Sequence, residues 1–232
     1  PLIATAMNSN ECQKITKIFK KAGLGKIGIV RTAPKIIVDG PARFGGIGVS
    51  MNIGSMQTTD HIQAILLHGH KSTPTGKLIR TSLETLQIES GCDGNPIQYS
   101  NQQIAYTTQN TWIAETVNNL YTHKIKIDNN MANLTKWLQQ DQFLMDIAIR
   151  RLKGVELKIF NKVRMFLKVC TVSDITNAAG NFIDKNIWEG NSNEESPSPS
   201  KWKYRWPQIE QITQREKKQW KVLLTKLLNI SG

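Results

Sequence analysis

Apolar residues recur at intervals of three and four along most of this chain, and Gly or Pro closes many of the runs. That period suits amphipathic α-helices and leaves little room for half-buried strands, which need alternation at every second position. Ile15, Ile18, Phe19 and Ala22 form one stripe, with Ser9 or Asn10 placed to cap it and Gly23 to stop it. The spacing predicts a helix over 9–22 with a basic outer face. A second helix is expected over 55–68, with Met56, Ile62, Ile65 and Leu66 inward. Pro74 suits the first turn of a third that runs to Glu89 on Leu78, Ile79, Leu83, Leu86 and Ile88 and closes at Gly91.

Further helices follow from the same pattern over 110–122 (Trp112, Ile113, Val117, Leu120), 134–149 (Leu134, Trp137, Leu138, Phe143, Leu144, Ile147), 155–169 (Leu157, Phe160, Val163, Leu167) and 208–229 (Ile209, Ile212, Trp220, Leu223, Leu224, Leu227). Ile36-Ile37-Val38 reads as a short strand or a single helical turn, residues 91–107 as loop, and Lys124–Ile127 as a strand-like alternation too short to count. Ser173-Asp174 is placed to cap a short helix over 175–178. The expected architecture is mainly α: a bundle-like core of about six helices with little strand over 1–188, a Ser/Pro-rich linker over 189–200, and a tethered, basic, Trp-rich C-terminal helix within 201–232.

Charge points to a partner. Thirty Lys and Arg face eighteen Asp and Glu, a net +12. Residues 14–43 carry eight cations against one acid, 150–168 seven against one, and 201–226 eight against two, so the remainder of the chain is net acidic. Such segregation suits a polyanion, because phosphate contacts gain affinity by releasing condensed counterions. Lys201-Trp202-Lys203-Tyr204-Arg205-Trp206 goes further, alternating cations with rings that could stack on unpaired bases. The bland alternative is an aromatic anchor against the core with solvated lysines.

Catalytic chemistry is hard to find. Gly23-Leu24-Gly25-Lys26-Ile27-Gly28 has the G-x-G-x-x-G spacing of dinucleotide-binding turns, but it follows a Lys-rich helix rather than a strand. His61, His68 and His70 lack the further ligands a metal site needs. No Asp-Asp pair offers itself for two-metal chemistry, and no Walker-type loop is present. The three cysteines, Cys12, Cys92 and Cys170, are too few and too scattered for a disulfide framework, and no apolar run reaches membrane-spanning length. An intracellular setting, nucleus or cytoplasm, without membrane contact is expected. So is the absence of a cofactor in this stretch.

Two stretches carry a resemblance. Arg31–Val49 contains Gly40-Pro41-Ala42-Arg43-Phe44-Gly45-Gly46-Ile47-Gly48. Asp141-Gln142-Phe143-Leu144-Met145 is followed by Asn161-Lys162-Val163-Arg164-Met165-Phe166-Leu167 and Ser173-Asp174-Ile175-Thr176. In order and spacing these resemble segments C-terminal to the polymerase palm in retrotransposon reverse transcriptases, similar to those common in diatoms and other algae. The resemblance implies the thumb and connection region of an RNA-directed DNA polymerase polyprotein. The palm, with its Tyr-x-Asp-Asp motif and Mg2+, would then lie upstream of Pro1 and be a partner domain. The implied role is to grip RNA and DNA template–primer without catalysing anything alone. The candidate contacts are Lys17, Lys20, Lys21, Lys158, Lys162, Arg164, Lys201, Trp202, Lys203, Tyr204, Arg205 and Trp206. The alternative is a helical interaction module for an acidic protein.

Overall fold

The computed structural model describes residues 7–30, 32–48, 53–107, 111–127, 141–177, 181–191, 206–207, 209 and 211–228. Residues 192–200 of the expected 189–200 linker, the block 201–205 and residues 134–140 of the expected 134–149 helix lie outside them. The described residues are mainly helical, as the periodicity requires, with no strand and two isolated antiparallel bridges. They fall into two compact units, 1–67 and 68–232.

The first unit holds α1 (Ser9–Lys26), α2 (Lys35–Asp39), a 3-10 turn (Ala42–Phe44) and most of α3 (Ile53–His68). Asn8 starts α1 through a capping box: its side chain accepts from Glu11 N, and Glu11 Oε2 accepts from Asn8 N at 2.9 Å. The helix runs through Gly23 and Gly25 to Lys26, past the expected stop. Its orientation also departs from expectation. Ile18 is 67% and Phe19 54% exposed, while Cys12 and Leu24 are buried. The inward face therefore runs through Cys12, Thr16, Lys20 and Leu24 at four-residue steps. Polar bonds explain the rotation: Thr16 Oγ1 accepts from Ile53 N at 3.1 Å, and Lys20 pairs with Asp39 of α2 at 2.5 Å. α3 turns in the same way. Ile53, Gln57, His61, Ala64 and Ile65 are buried, while Met56 and Leu66 are exposed. Gln57 is held inside by paired bonds to the Met7 backbone. Ile36-Ile37-Val38 resolves as the helical turn α2.

The second unit begins with α4 (Pro74–Ser90), with Pro74 in its first turn and Gly91 closing it, as expected; Thr73 supplies the N-cap, and Gly91 is left-handed. Residues expected as loop hold a 3-10 turn (Pro96–Gln98) and α5 (Asn101–Ile104). Then come α6 (Trp112–Thr122), α7 (Leu144–Arg151), α8 (Gly154–Leu167), α9 (Val172–Ile175), α10 (Lys185–Glu189) and α11 (Gln214–Leu228). Thr171, not Ser173, caps α9, and Asp174 completes its capping box, so the short helix begins earlier than expected. Lys124–Ile127 forms no strand. α10 carries local start and stop signals: Asp184 accepts from Asn186 N and Ile187 N, and Gly190 closes with φ 68°.

α11 is not an appendage. It runs antiparallel to α8, with Lys162 pairing Glu216 at one end (2.7 Å) and Glu156 pairing Lys226 at the other (3.1 Å). Between them Trp220 is fully buried, stacks on Phe160 with centroids 4.8 Å apart, and donates from Nε1 to Ile187 O at 2.9 Å. The expected boundary at 188/189 thus gives way to one at 67/68, because α11 closes the core of the second unit. Trp220→Ala should cost about 3–5 kcal/mol of stability, read as a lower urea midpoint by circular dichroism. Glu216→Ala, which removes the Lys162 pair together with the bonds Thr213 gives the carboxylate at the start of α11, should cost less, about 1–2 kcal/mol.

Candidate nucleic-acid interface

Helical spacing decides which cations stay free. Lys14, Lys17 and Lys21 stand at i, i+3 and i+7 on α1, share one face and are exposed. Lys20 lies about a quarter-turn round the helix from that row, tied to Asp39. On α8, Lys158 is exposed, while Lys162, one turn on, bonds Glu216 and holds that carboxyl below its ordinary value. Lys221 pairs with Glu189 at 2.6 Å. Arg151 donates to Leu227 O at 2.7 Å, covering the C-terminal carbonyls of α11. Arg150, Lys153, Lys168, Arg215 and Lys218 are also exposed. Among the candidate contacts, then, Lys17, Lys21 and Lys158 stand free of the described ion pairs, and Lys20 and Lys162 are engaged in them. Lys201, Trp202, Lys203, Tyr204 and Arg205 lie outside the described residues.

Arg164 is a correction. Its side chain is fully buried and cannot meet a phosphate. Nε donates to Asn161 Oδ1 at 3.0 Å, Nη1 to Val169 O at 3.2 Å, and Nη2 to Ile88 O at 2.7 Å and Glu89 O at 3.0 Å. The guanidinium therefore sits on the carbonyls at the C-terminus of α4, where orphan acceptors and the negative end of the helix dipole favour a cation. Asn161, three residues back on α8, donates to Glu89 O and Tyr106 O, both at 3.0 Å. Gly91 permits the approach: a Cβ there would lie 2.6 Å from Arg164 Cζ, and the residue has φ 64°. Burial pulls the guanidinium's pKa down and pushes the Cys170 thiol up to about 12. Burial also pushes the Glu89 carboxyl up to about 7 against the pull of Arg164, and Glu89 Oε1 has no hydrogen-bond partner among the described residues.

Of the two stretches that carry the resemblance, the pieces of the second, 141–145 and 161–176, meet around this arginine. Leu144 N donates to Cys170 O and Val172 N to Gln142 O, both at 2.9 Å, forming the bridge between Phe143 and Thr171. The Asp141 carboxylate accepts from Ser173 through both its backbone N–H and its hydroxyl. Asp174 Oδ2 takes the N–H groups of Cys170 and Thr171 at 2.9 Å each. Asp146 accepts from Asp93 N at 3.0 Å and anchors the loop after α4. These residues hold the fold of the second unit together.

Trp206 belongs with them. It packs against Ile88, Phe143 and Cys170 with its Nε1 buried, so it is a core anchor and not a free stacking surface. Gly23 and Gly25 lie inside α1 with no strand before them, which removes the dinucleotide turn. His61 is fully buried, and no three His, Cys, Asp or Glu gather to hold a metal ion among the described residues. No described helix is long and apolar enough to cross a membrane. No family model, curated protein or solved structure matches the chain.

Two outcomes follow. Arg164→Lys should lower stability by at least about 3 kcal/mol, since a point charge cannot reproduce the fork and leaves buried acceptors unpaired; urea denaturation measures it. Glu89 binds a proton in the folded chain from its ordinary value of 4.5 up to about 7 that the unfolded chain has already released. Stability should therefore fall as pH rises through that window and level off above it. Glu89→Gln should flatten the fall in a series of thermal melts, leaving the smaller slope due to Glu84, Glu115 and Asp146, whose carboxyls burial also raises.

Proposed function

We propose that this chain is a non-catalytic, nucleic-acid-gripping part of an RNA-directed DNA polymerase polyprotein, holding RNA–DNA template–primer through phosphate contacts without reading sequence. The observation that carries it is the exposed row Lys14, Lys17 and Lys21 along one face of α1. A rigid helix with cations at that spacing can follow a phosphate backbone and release counterions. The positive charge of residues 14–43 and the order of the motif segments support the same reading. An upstream polymerase domain is the proposed partner, and its Mg2+ would serve the chemistry that this chain leaves to it.

A second reading rests on Ile18 and Phe19, which are exposed beside those lysines. An amphipathic, basic helix face also suits an acidic protein. One titration separates the two. Anisotropy with a labelled RNA–DNA hybrid should show log K falling linearly with log salt. Lys14→Glu, Lys17→Glu and Lys21→Glu together should cut affinity at least about tenfold and lower the slope by about 2–3. Absence of binding at about 50 mM salt overturns the nucleic-acid reading, and the acidic protein partner becomes the better account.

A further inference from the structure

We propose that the segment 34–48 is a base-stacking finger: Phe44, with the Arg43 guanidinium over one face of its ring, receives an unpaired base of single-stranded nucleic acid on the other. This rests on the nucleic-acid reading above and adds to it that the first unit also takes an unpaired stretch of the strand.

The segment is built to be stiff. Val38 is buried and Asp39 is held by Lys20, which fixes its base. Ile47 N donates to Ile37 O and Gly48 N to Gly40 O, both at 2.8 Å, and Gly46 N donates to Pro41 O at 3.2 Å. The two backbone arms cross at a distance open only to glycine. A Cβ on Gly46 would lie 2.1 Å from Gly40 O, and one on Gly40 would lie 2.3 Å from Ile36 O. Gly45, at φ 81°, ends the 3-10 turn that carries Ala42, Arg43 and Phe44.

What this frame displays does nothing for the fold. Phe44 is 76% exposed, and no residue of its 3-10 turn is buried. Arg43 Cζ stands 4.8 Å from the ring centroid, so the cation covers one face and the exposed ring leaves the other open. Lys35 and Arg43 are the cations of the segment, and Asp39, its one acid, is neutralised by Lys20. A ring on a rigid tip with cations around it matches a ligand that combines π-faces with phosphates. An apolar peptide would use the ring but leave the guanidinium without a counter-charge. Duplex offers phosphates but no free base face. Exposure decides the role of Phe44, and the spacing of residues in a sequence does not reveal exposure.

The test uses the full chain with labelled dT20 and a matched duplex, comparing wild type with Phe44→Ala, Phe44→Leu and Phe44→Trp. The alanine and leucine variants should weaken dT20 binding about 5- to 150-fold, leave duplex binding unchanged, and melt as wild type does. Phe44→Trp should retain affinity. A 2-aminopurine within the single strand should be quenched by wild type and by Phe44→Trp, and not by Phe44→Leu. Unchanged dT20 binding by Phe44→Ala overturns the finger while leaving phosphate gripping intact, as does an equal loss for strand and duplex. Wild type that binds neither nucleic acid overturns both readings.

Discussion

The second unit is organised around one buried guanidinium. A charge inside a protein is tolerated only where its hydrogen bonds are complete. Arg164 meets that condition with backbone carbonyls from α4 and from the end of α8, and with Asn161 on its own helix. This arrangement locks the crossing of α4 and α8, demands glycine at position 91, and leaves Glu89 buried beside it. Phe143, Cys170 and Trp206 then pack at the same junction. Segments far apart in the chain are thus drawn to one point by donors and acceptors that water would otherwise have satisfied.

The cations divide between fold and surface. Arg164 and Arg151 serve helix C-termini, and Lys20, Lys162, Lys221 and Lys226 tie elements together within each unit. The exposed surface pairs contribute little stability each, since screening and side-chain entropy offset most of the attraction. They do neutralise part of the positive field. A count of basic residues therefore overstates what a polyanion meets, and the free row on α1 matters more than the totals by block.

Much of the fold was legible. Thr73-Pro74 and Gly91 delimit α4 by local chemistry alone, and the apolar repeats of α6, α8 and α11 announced helices. The site was less so. Lys17, Lys21 and Arg164 are all cations at helical positions, and nothing local tells a solvated lysine from an arginine that replaces water at a helix end. Asn161, with its amide aimed at Glu89 O, was the available signal for Arg164, because an Asn three residues before an Arg on one helix can brace its fork. The rotation of α1 was not legible, since polar bonds from Thr16 and Lys20 outweighed a modest apolar stripe.

Sequence by itself determined the mainly helical class, the two ends of α4 and the concentration of positive charge, because these follow from backbone propensity, local turn chemistry and composition within a few residues. Tertiary structure alone decided which face of each helix is buried, that α11 closes the second unit's core, and that Arg164 lies inside and Trp206 packs half-buried against the core while Phe44 stands out. Burial is settled by partners distant in the chain, and their hydrogen bonds and contact areas are set only once the elements have met.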